Sequence, residues 1–198
     1  GIIVISDEIH CDMALFGNRH IPFASASREA AACIITFGAP SKTFNIAGIV
    51  SSYSVVPNDS LRHRFHEWME ANEMNAAPLF SPIATIAAFR KGEEWRKQML
   101  EYVEGNINFL TDYCREKMPE IMPLRPQASF LVWLDCRSLG LDHDQLIDLF
   151  INKAGLALND GEMFNPGGQG FMRLNVGTPR KILKSALDRL HKAISENL

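Results

Sequence analysis

The chain has 198 residues, room for one or two domains with a real core, and its 46% hydrophobic and 22% charged content is ordinary for a globular protein. A net charge of -3 excludes a nucleic-acid or anionic-membrane binder that works through a basic surface. Cys11, Cys33, Cys114 and Cys136 have neither metal-ligand spacing nor the density of a disulfide framework, and no apolar run reaches the ~20 residues that cross a bilayer, so reduced thiols in a soluble, cytoplasmic protein are expected.

The opening run Gly1-Ile2-Ile3-Val4-Ile5-Ser6 is continuous and apolar, the pattern of a strand buried on both faces of a parallel sheet. It ends in Asp7-Glu8-Ile9-His10. Groups just past the carboxyl end of such a strand lie where open α/β sheets bind ligands. A carboxylate there can hold a protonated ring nitrogen, and an imidazole one turn on can reach a phenolate or carbonyl. Read singly, Asp7 is as well explained as a helix N-cap and His10 as a structural histidine.

A second strand is predicted over Cys33–Phe37 and a third over Ile49–Val56, both β-branched and aromatic. Between them lies the polar turn Ser41-Lys42-Thr43-Phe44-Asn45-Ile46-Ala47-Gly48. An ammonium held between two buried strands is partly desolvated, which lowers its pKa and makes it a usable nucleophile. By spacing alone, Lys42 also fits a surface lysine on a turn.

Pro57-Asn58-Asp59-Ser60 opens a helix with Leu61, Phe65, Trp68 and Met69 at helical spacing; His63 and His66 on it lack further ligands and mark a solvated face. Asn75-Ala76-Ala77-Pro78 breaks that helix, and Ser81-Pro82 starts another with the small residues Ala84, Ala87 and Ala88. Residues 93 to about 118 form a long amphipathic helix with Trp95, Met99, Tyr102, Val103, Ile107, Leu110 and Cys114 on one side, and Gly105 as a mild cost to helicity. Ser129–Leu134 reads as a strand, and Asp142-His143-Asp144-Gln145 as a capping box for a helix to about Ala154. Leu156–Leu158 reads as a short strand leading into a glycine-rich loop over 161–170, which lacks the Gly-Lys-Ser/Thr ending of a phosphate cradle and instead lets the backbone pass close to substrate. A strand over 171–176 and a last helix after Thr178-Pro179, with Ile182, Leu183, Ala186, Leu187, Leu190 and Ala193 facing inward, complete the chain.

Asp7-Glu8-Ile9-His10, His20-Ile21-Pro22-Phe23-Ala24-Ser25, the Pro40–Gly48 block and Gly170-Phe171-Met172-Arg173-Leu174-Asn175-Val176-Gly177 occur in an order that resembles pyridoxal-phosphate enzymes of the aspartate aminotransferase superfamily, class I/II and fold type I. The MalY/PatB-like cystathionine β-lyase subgroup is the most similar. The resemblance implies the α/β class, specifically the C-terminal half of an aminotransferase-like fold: a remnant of the large-domain sheet over residues 1–90, then a linking helix and an α+β small domain over 91–198. It implies pyridoxal 5'-phosphate as cofactor, a homodimer, and a small amino-acid substrate.

By the same resemblance, Lys42 joins the cofactor aldehyde and later removes the substrate α-proton. Asp7 pairs with the pyridinium nitrogen, His10 lies near the phenolic oxygen, and Arg173 clamps the substrate carboxylate in a fork. The chain also departs from the pattern. Where many aminotransferases place a phosphate-binding arginine eight residues after the lysine, this sequence has Val50, and three residues before the lysine it has Ala39 in place of serine. Ser41 and Thr43 are then phosphate candidates by proximity. Family members run to roughly twice this length and the sequence enters a strand directly at Gly1, so a C-terminal half with little activity of its own is expected. The activity implied is a carbon–sulfur β-lyase giving thiol, pyruvate and ammonia. An aminotransferase on the same scaffold, and a non-catalytic binding module, are the alternatives.

Overall fold

The opening strand forms, but as an edge. In the computed structural model, which describes residues 1–164 and 166–197, β1 (Val4–Asp7) pairs in parallel with β2 (Ile34–Gly38), and β2 pairs antiparallel with β3 (Tyr53–Val55). The sheet order is β1-β2-β3, so among the described residues β1 has one neighbour. Ile34 and Ile35 on the central strand are buried, whereas Ile3 and Ile5 are exposed. The expected two-faced burial of the first strand is therefore corrected: an apolar run is buried on both faces only where other elements cover both.

Because β1 and β2 are parallel, their carboxyl ends lie at the same edge, and antiparallel β3 begins there, with Tyr53 opposite Gly38. Between β1 and β2, tight turns at Cys11–Met13 and Phe23–Ser25 precede α1 (Arg28–Ala32), capped by the Ser27 side chain on the Ala30 N–H. α2 (Pro40–Thr43) follows β2 with Pro40 in its first turn, where a missing N–H costs nothing. The strand predicted over 49–56 shrinks to β3. Ala47–Ile49 closes a tight turn, and Val50 takes a φ of 51°, a left-handed conformation that breaks strand pairing. α3 (Asp59–Ala71) is capped by the Asn58 side chain on the Leu61 N–H, and Phe65 meets Phe37 of β2 edge-on at 5.9 Å, while Trp68 faces out. His63 on its outer face pairs with Glu67 at 3.0 Å. α4 (Ser81–Lys91) completes this part.

α5 (Glu93–Lys117) has acidic residues in its first turn and Arg115 and Lys117 in its last, as the helix dipole favours. Two compact units, Gly1–Leu100 and Glu101–Leu198, divide within it. In the second unit, β4 (Met122–Leu124), β5 (Leu131–Asp135), β6 (Asn159–Asp160) and β7 (Phe171–Asn175) form an antiparallel sheet in the order β4-β5-β7-β6. The predicted Leu156–Leu158 strand lies three residues early, since Leu156 is spent on a hydrogen bond to the Phe150 carbonyl and ladder pairing begins at Asn159.

Val132 and Leu134 of β5 and Met172 and Leu174 of β7 are buried on one face of this sheet. With Val103, Ile107, Leu110 and Cys114 of α5, and Leu183, Leu187, Leu190 and Ala193 of α7 (Arg180–Asn197), they make the core of the second unit. Trp95, Tyr102 and Ile182, expected inside, are exposed; each falls at the margin of its helix's apolar stripe. α6 (His143–Asp148) carries the predicted capping box of Asp142 and Gln145, and a π-type turn continues it over Leu149–Lys153.

The Asn106 side chain, fully buried on α5, donates to the carbonyls of Val176 at 2.7 Å and Thr178 at 2.8 Å and accepts from Arg180 Nε at 2.6 Å. A Cβ on Gly105 would lie 3.1 Å from the Arg180 guanidinium, which gives the helical glycine its reason: it makes room for that side chain. Among the described residues, no helix is long and apolar enough to cross a membrane.

Candidate active site

The carboxyl edge of the first sheet gathers the predicted groups of the first unit. Asp7 ends β1, its Oδ1 accepting from the Ile9 N–H at 3.2 Å, and His10 follows in the same turn. Lys42 lies on α2, four residues beyond the end of β2. The electrostatics tie the three together. Burial holds the His10 imidazole below its ordinary pKa, the Lys42 charge pushes it the same way, and Asp7 pulls it back up. An amine, a carboxylate and an imidazole thus share one strand edge.

Lys42 itself is exposed, and the expectation of an ammonium desolvated between two strands is corrected on that point. Its side chain leaves from a one-turn helix on the open edge of the sheet; the strands flank its backbone and do not cover the amine. What is rigid is the platform beneath it. Phe44 packs edge-on against Phe89 at 5.5 Å and at a tilt of 36° against Trp95 at 6.1 Å, and a Cβ on Gly92 would strike the Phe44 ring. The Ser81 hydroxyl of α4 donates to the carbonyls of Ile49 and Val50, and Ser51 and Thr85 hydroxyls meet at 2.7 Å, so α4 holds the 49–51 segment. Gly38 is equally constrained, because a Cβ there would overlap the Tyr53 ring that crosses the edge.

Of the two phosphate candidates, Thr43 is fully buried and its hydroxyl donates to Asp12 Oδ2 at 3.4 Å. It is not free to bind a ligand. Ser41 is half-buried on the same turn. Ala39 is buried and Val50 exposed, and neither has a polar side chain to offer.

Glu8 is an anchor that the sequence left unassigned. It accepts from the Phe23 N–H at 3.0 Å and the Ser6 hydroxyl at 3.0 Å, and contacts His20 Nε2 at 2.8 Å. Burial alone raises its pKa, but the bonds from His20, Phe23 and Ser6 outweigh it and leave the carboxyl below its usual value. Glu8 therefore pins the 20–23 block against the end of β1. Its place beside Asp7 was the signal; its direction was not readable. Burial first, then neighbouring groups including Asp12 and Glu8, raises the pKa of both Cys11 and Tyr53.

In the second unit, Arg173 lies on the face of the sheet opposite the core, directly across from Trp133 on β5. Its Nη2 donates to Asn159 Oδ1 at 3.1 Å, and its guanidinium carbon lies 4.2 Å from the centroid of the Phe164 ring. Its Nε is buried and bonded to nothing among the described residues. An uncompensated buried N–H is costly, and a ligand oxygen would satisfy it. Trp133 is edge-on to Phe164 at 5.4 Å and to Phe171 at 6.1 Å, and these rings with Leu124, Gly167 and Gly168 line a cavity of about 300 Å³. The glycine-rich loop serves itself: a Cβ on Gly168 or Gly161 would overlap the other's backbone, so the close approach is between two stretches of the loop. Asn165, within it, lies outside the described residues.

Residues 1–190 match the family model for aminotransferase class I and II. Among curated proteins, the chain is 37% identical to cystathionine β-lyase PatB of Bacillus subtilis (strain 168) over 98% of its own length and 50% of that protein. It is 33% identical to protein MalY of Escherichia coli (strain K12), over 98% of the chain and 49% of that protein. Among solved structures, cystalysin from Treponema denticola, which contains a pyridoxal 5'-phosphate cofactor, superposes with a TM-score of 0.94 at 31% identity, over 98% of this chain and 49% of that one. The chain spans about half the length of the curated relatives it matches. With the family model covering nearly all of its residues, the chain belongs to the class I and II aminotransferase family.

Proposed function

We propose that the protein is a pyridoxal 5'-phosphate-dependent carbon–sulfur β-lyase that converts cystathionine or a cysteine S-conjugate to a thiol, pyruvate and ammonia. The observation that carries this reading is the meeting of Lys42, Asp7 and His10 at one strand edge, where His10 responds to both charges. The relative named cystathionine β-lyase supports elimination as the outcome, and the cystalysin structure supports the cofactor.

The residues present fit that cofactor. Lys42 supplies a primary amine for its aldehyde, Asp7 a carboxylate for its ring nitrogen, and His10 an imidazole for its phenolic oxygen. Gly38, where no side chain can be added beside Tyr53, keeps the edge between them clear. Ser41 is the remaining phosphate donor on this turn. When bound, the cofactor supplies an electron sink for the carbanion at the substrate α-carbon.

The chain's own groups do the rest. Lys42 Nζ takes the proton from the α-carbon. The Asp7 carboxylate holds a proton on the ring nitrogen by opposing its charge. Arg173 binds the substrate carboxylate, meeting its buried Nε need and orienting the α-C–H bond. Loss of the β-thiolate then competes with return of the proton, and these residues serve both. Cystathionine fits a site that holds one α-carboxylate by a charge-assisted fork and leaves the β-sulfur arm outside it.

Residues 1–90 then correspond to the C-terminal part of a cofactor-binding large domain, and residues 91–198 to a linking helix and small domain. A cytoplasmic homodimer is part of the proposal; the cytoplasmic location is supported by free cysteines, of which Cys114 and Cys136 are buried, with their thiols pushed up to about 12 by that burial.

The test uses the full-length protein with pyridoxal phosphate and L-cystathionine. Release of thiol and pyruvate without a keto-acid acceptor, together with a borohydride-stable adduct on Lys42, is the expected result. A strict requirement for a keto-acid acceptor assigns an aminotransferase instead. Unchanged turnover in Lys42→Ala overturns the reading altogether.

A further inference from the structure

Arg173 occupies an unusual surrounding for a guanidinium. Among the described residues its guanidinium hydrogen-bonds to the neutral amide of Asn159, from Nη2 at 3.1 Å. The Phe164 ring covers one face of the fork at 4.2 Å, and Trp133 braces that ring edge-on at 5.4 Å and 83°. The buried Nε has no hydrogen-bond partner among the described residues. Arg137, on the same face of the sheet, shows the contrast. It also stacks on an aromatic, Phe171, at 4.9 Å, but its Nε and Nη2 are filled by the Asp135 carboxylate at 2.9 and 2.6 Å. One guanidinium has its carboxylate built in; the other stacks on a ring in the same manner, with no carboxylate on its Nε among the described residues.

From this arrangement we infer that Phe164 and Asn159 are positioning residues for carboxylate binding: they fix the plane of the Arg173 guanidinium so that its Nε edge is presented to an incoming carboxylate. The inference rests on the role proposed for Arg173. A flexible arginine must lose rotamer freedom when it binds, and that loss weakens binding. Stacking on one face and an amide at one nitrogen remove most of that freedom beforehand, and neither competes for the charge as an acidic residue would. The aromatic is suited to this because a ring face attracts the cation without offering a lone pair to Nε. Trp133 acts one step further out, by keeping the Phe164 ring upright.

The experiment compares Phe164→Leu, Phe164→Tyr, Asn159→Ala and Arg173→Lys in the full-length protein. KM and kcat are measured for L-cystathionine, and the Arg173 Nε–H resonance is followed by NMR as L-alanine is added. Phe164→Leu and Asn159→Ala are expected to raise KM about tenfold with kcat nearly unchanged, and Phe164→Tyr to restore the original value. The Arg173 Nε–H signal shifts on adding L-alanine to the parent and to Phe164→Tyr, but broadens or needs about tenfold more ligand in Phe164→Leu. If Arg173→Lys raises KM while Phe164→Leu and Asn159→Ala match the parent in KM and in the resonance titration, the positioning role is refuted and the carboxylate clamp survives. If Arg173→Lys leaves KM unchanged, the clamp falls and the positioning role with it. If Phe164→Leu lowers kcat and KM is not restored by tyrosine, the ring is merely structural and the inference is overturned.

Discussion

The two units are nearly equal in length but are built on different terms. Of the buried apolar residues described, six lie in Gly1–Leu100 and twenty-two in Glu101–Leu198. In the first unit, Ile2 is 83% exposed, Leu79 77%, Phe80 71% and Ile5 70%, on elements whose backbone is regular. In the second, helices and sheet close over one another, and exposed apolar side chains are scattered. The first unit therefore presents Asp7, His10 and Lys42 on an open edge, supported by local braces such as Phe44 and Ser81, while the second carries the larger core. Exposed apolar faces of this extent mark surfaces made for contact.

The largest effect expected from breaking this contrast is on chemistry without stability. Lys42→Ala removes the proposed base and is expected to lower kcat by at least about 10³-fold, since positioned proton transfer contributes ~10²–10⁴-fold. Because Lys42 is exposed, the denaturation midpoint stays with the parent. The opposite pattern is expected in the core of the second unit. Leu110→Ala, at a fully buried position on α5, costs about 2–5 kcal/mol by urea denaturation, whereas Ile5→Ala in the first unit stays within about 0.5 kcal/mol.

Asn106→Ala should cost about 1–3 kcal/mol, because it strands two carbonyls and Arg180 Nε inside the second unit. Asp142→Ala, which removes a complete capping box, is expected to cost about 1 kcal/mol. The smallest effect is in acid. Glu8 has a folded pKa below its ordinary 4.5, so its contribution is fully present above that value and is lost as pH falls through the lower folded one. Glu8→Gln should flatten the decline in thermal midpoint below pH 4.5 and leave the neutral-pH catalytic profile in place.

Most regular elements were legible. Apolar spacing placed α3, α5 and α7, and the Asp142–Gln145 pattern named its cap in advance. Where the reading slipped, burial was the cause. β1 has the composition of a central strand and the position of an edge, and no periodicity within four residues tells one from the other. Ile182 and Trp95 are apolar yet exposed, since a helix stripe has margins that hydropathy alone does not mark. In the proposed site, Asp7, His10 and Lys42 were singled out by residue type and place in the chain, and Arg173 by the family resemblance. Phe164, Asn159 and Glu8 were not, because a brace is recognised by what it touches.

By itself, the sequence determined which residues could do chemistry and the order of the elements that carry them, because both depend on residue type and short-range spacing. Tertiary structure decided what surrounds each group. Parallel pairing put Asp7 and Lys42 at one edge, the one-turn helix left the amine in the open, and Phe164 folded back onto Arg173. Exposure, pairing and orientation come from contacts between residues distant in the chain, and local composition holds no record of them.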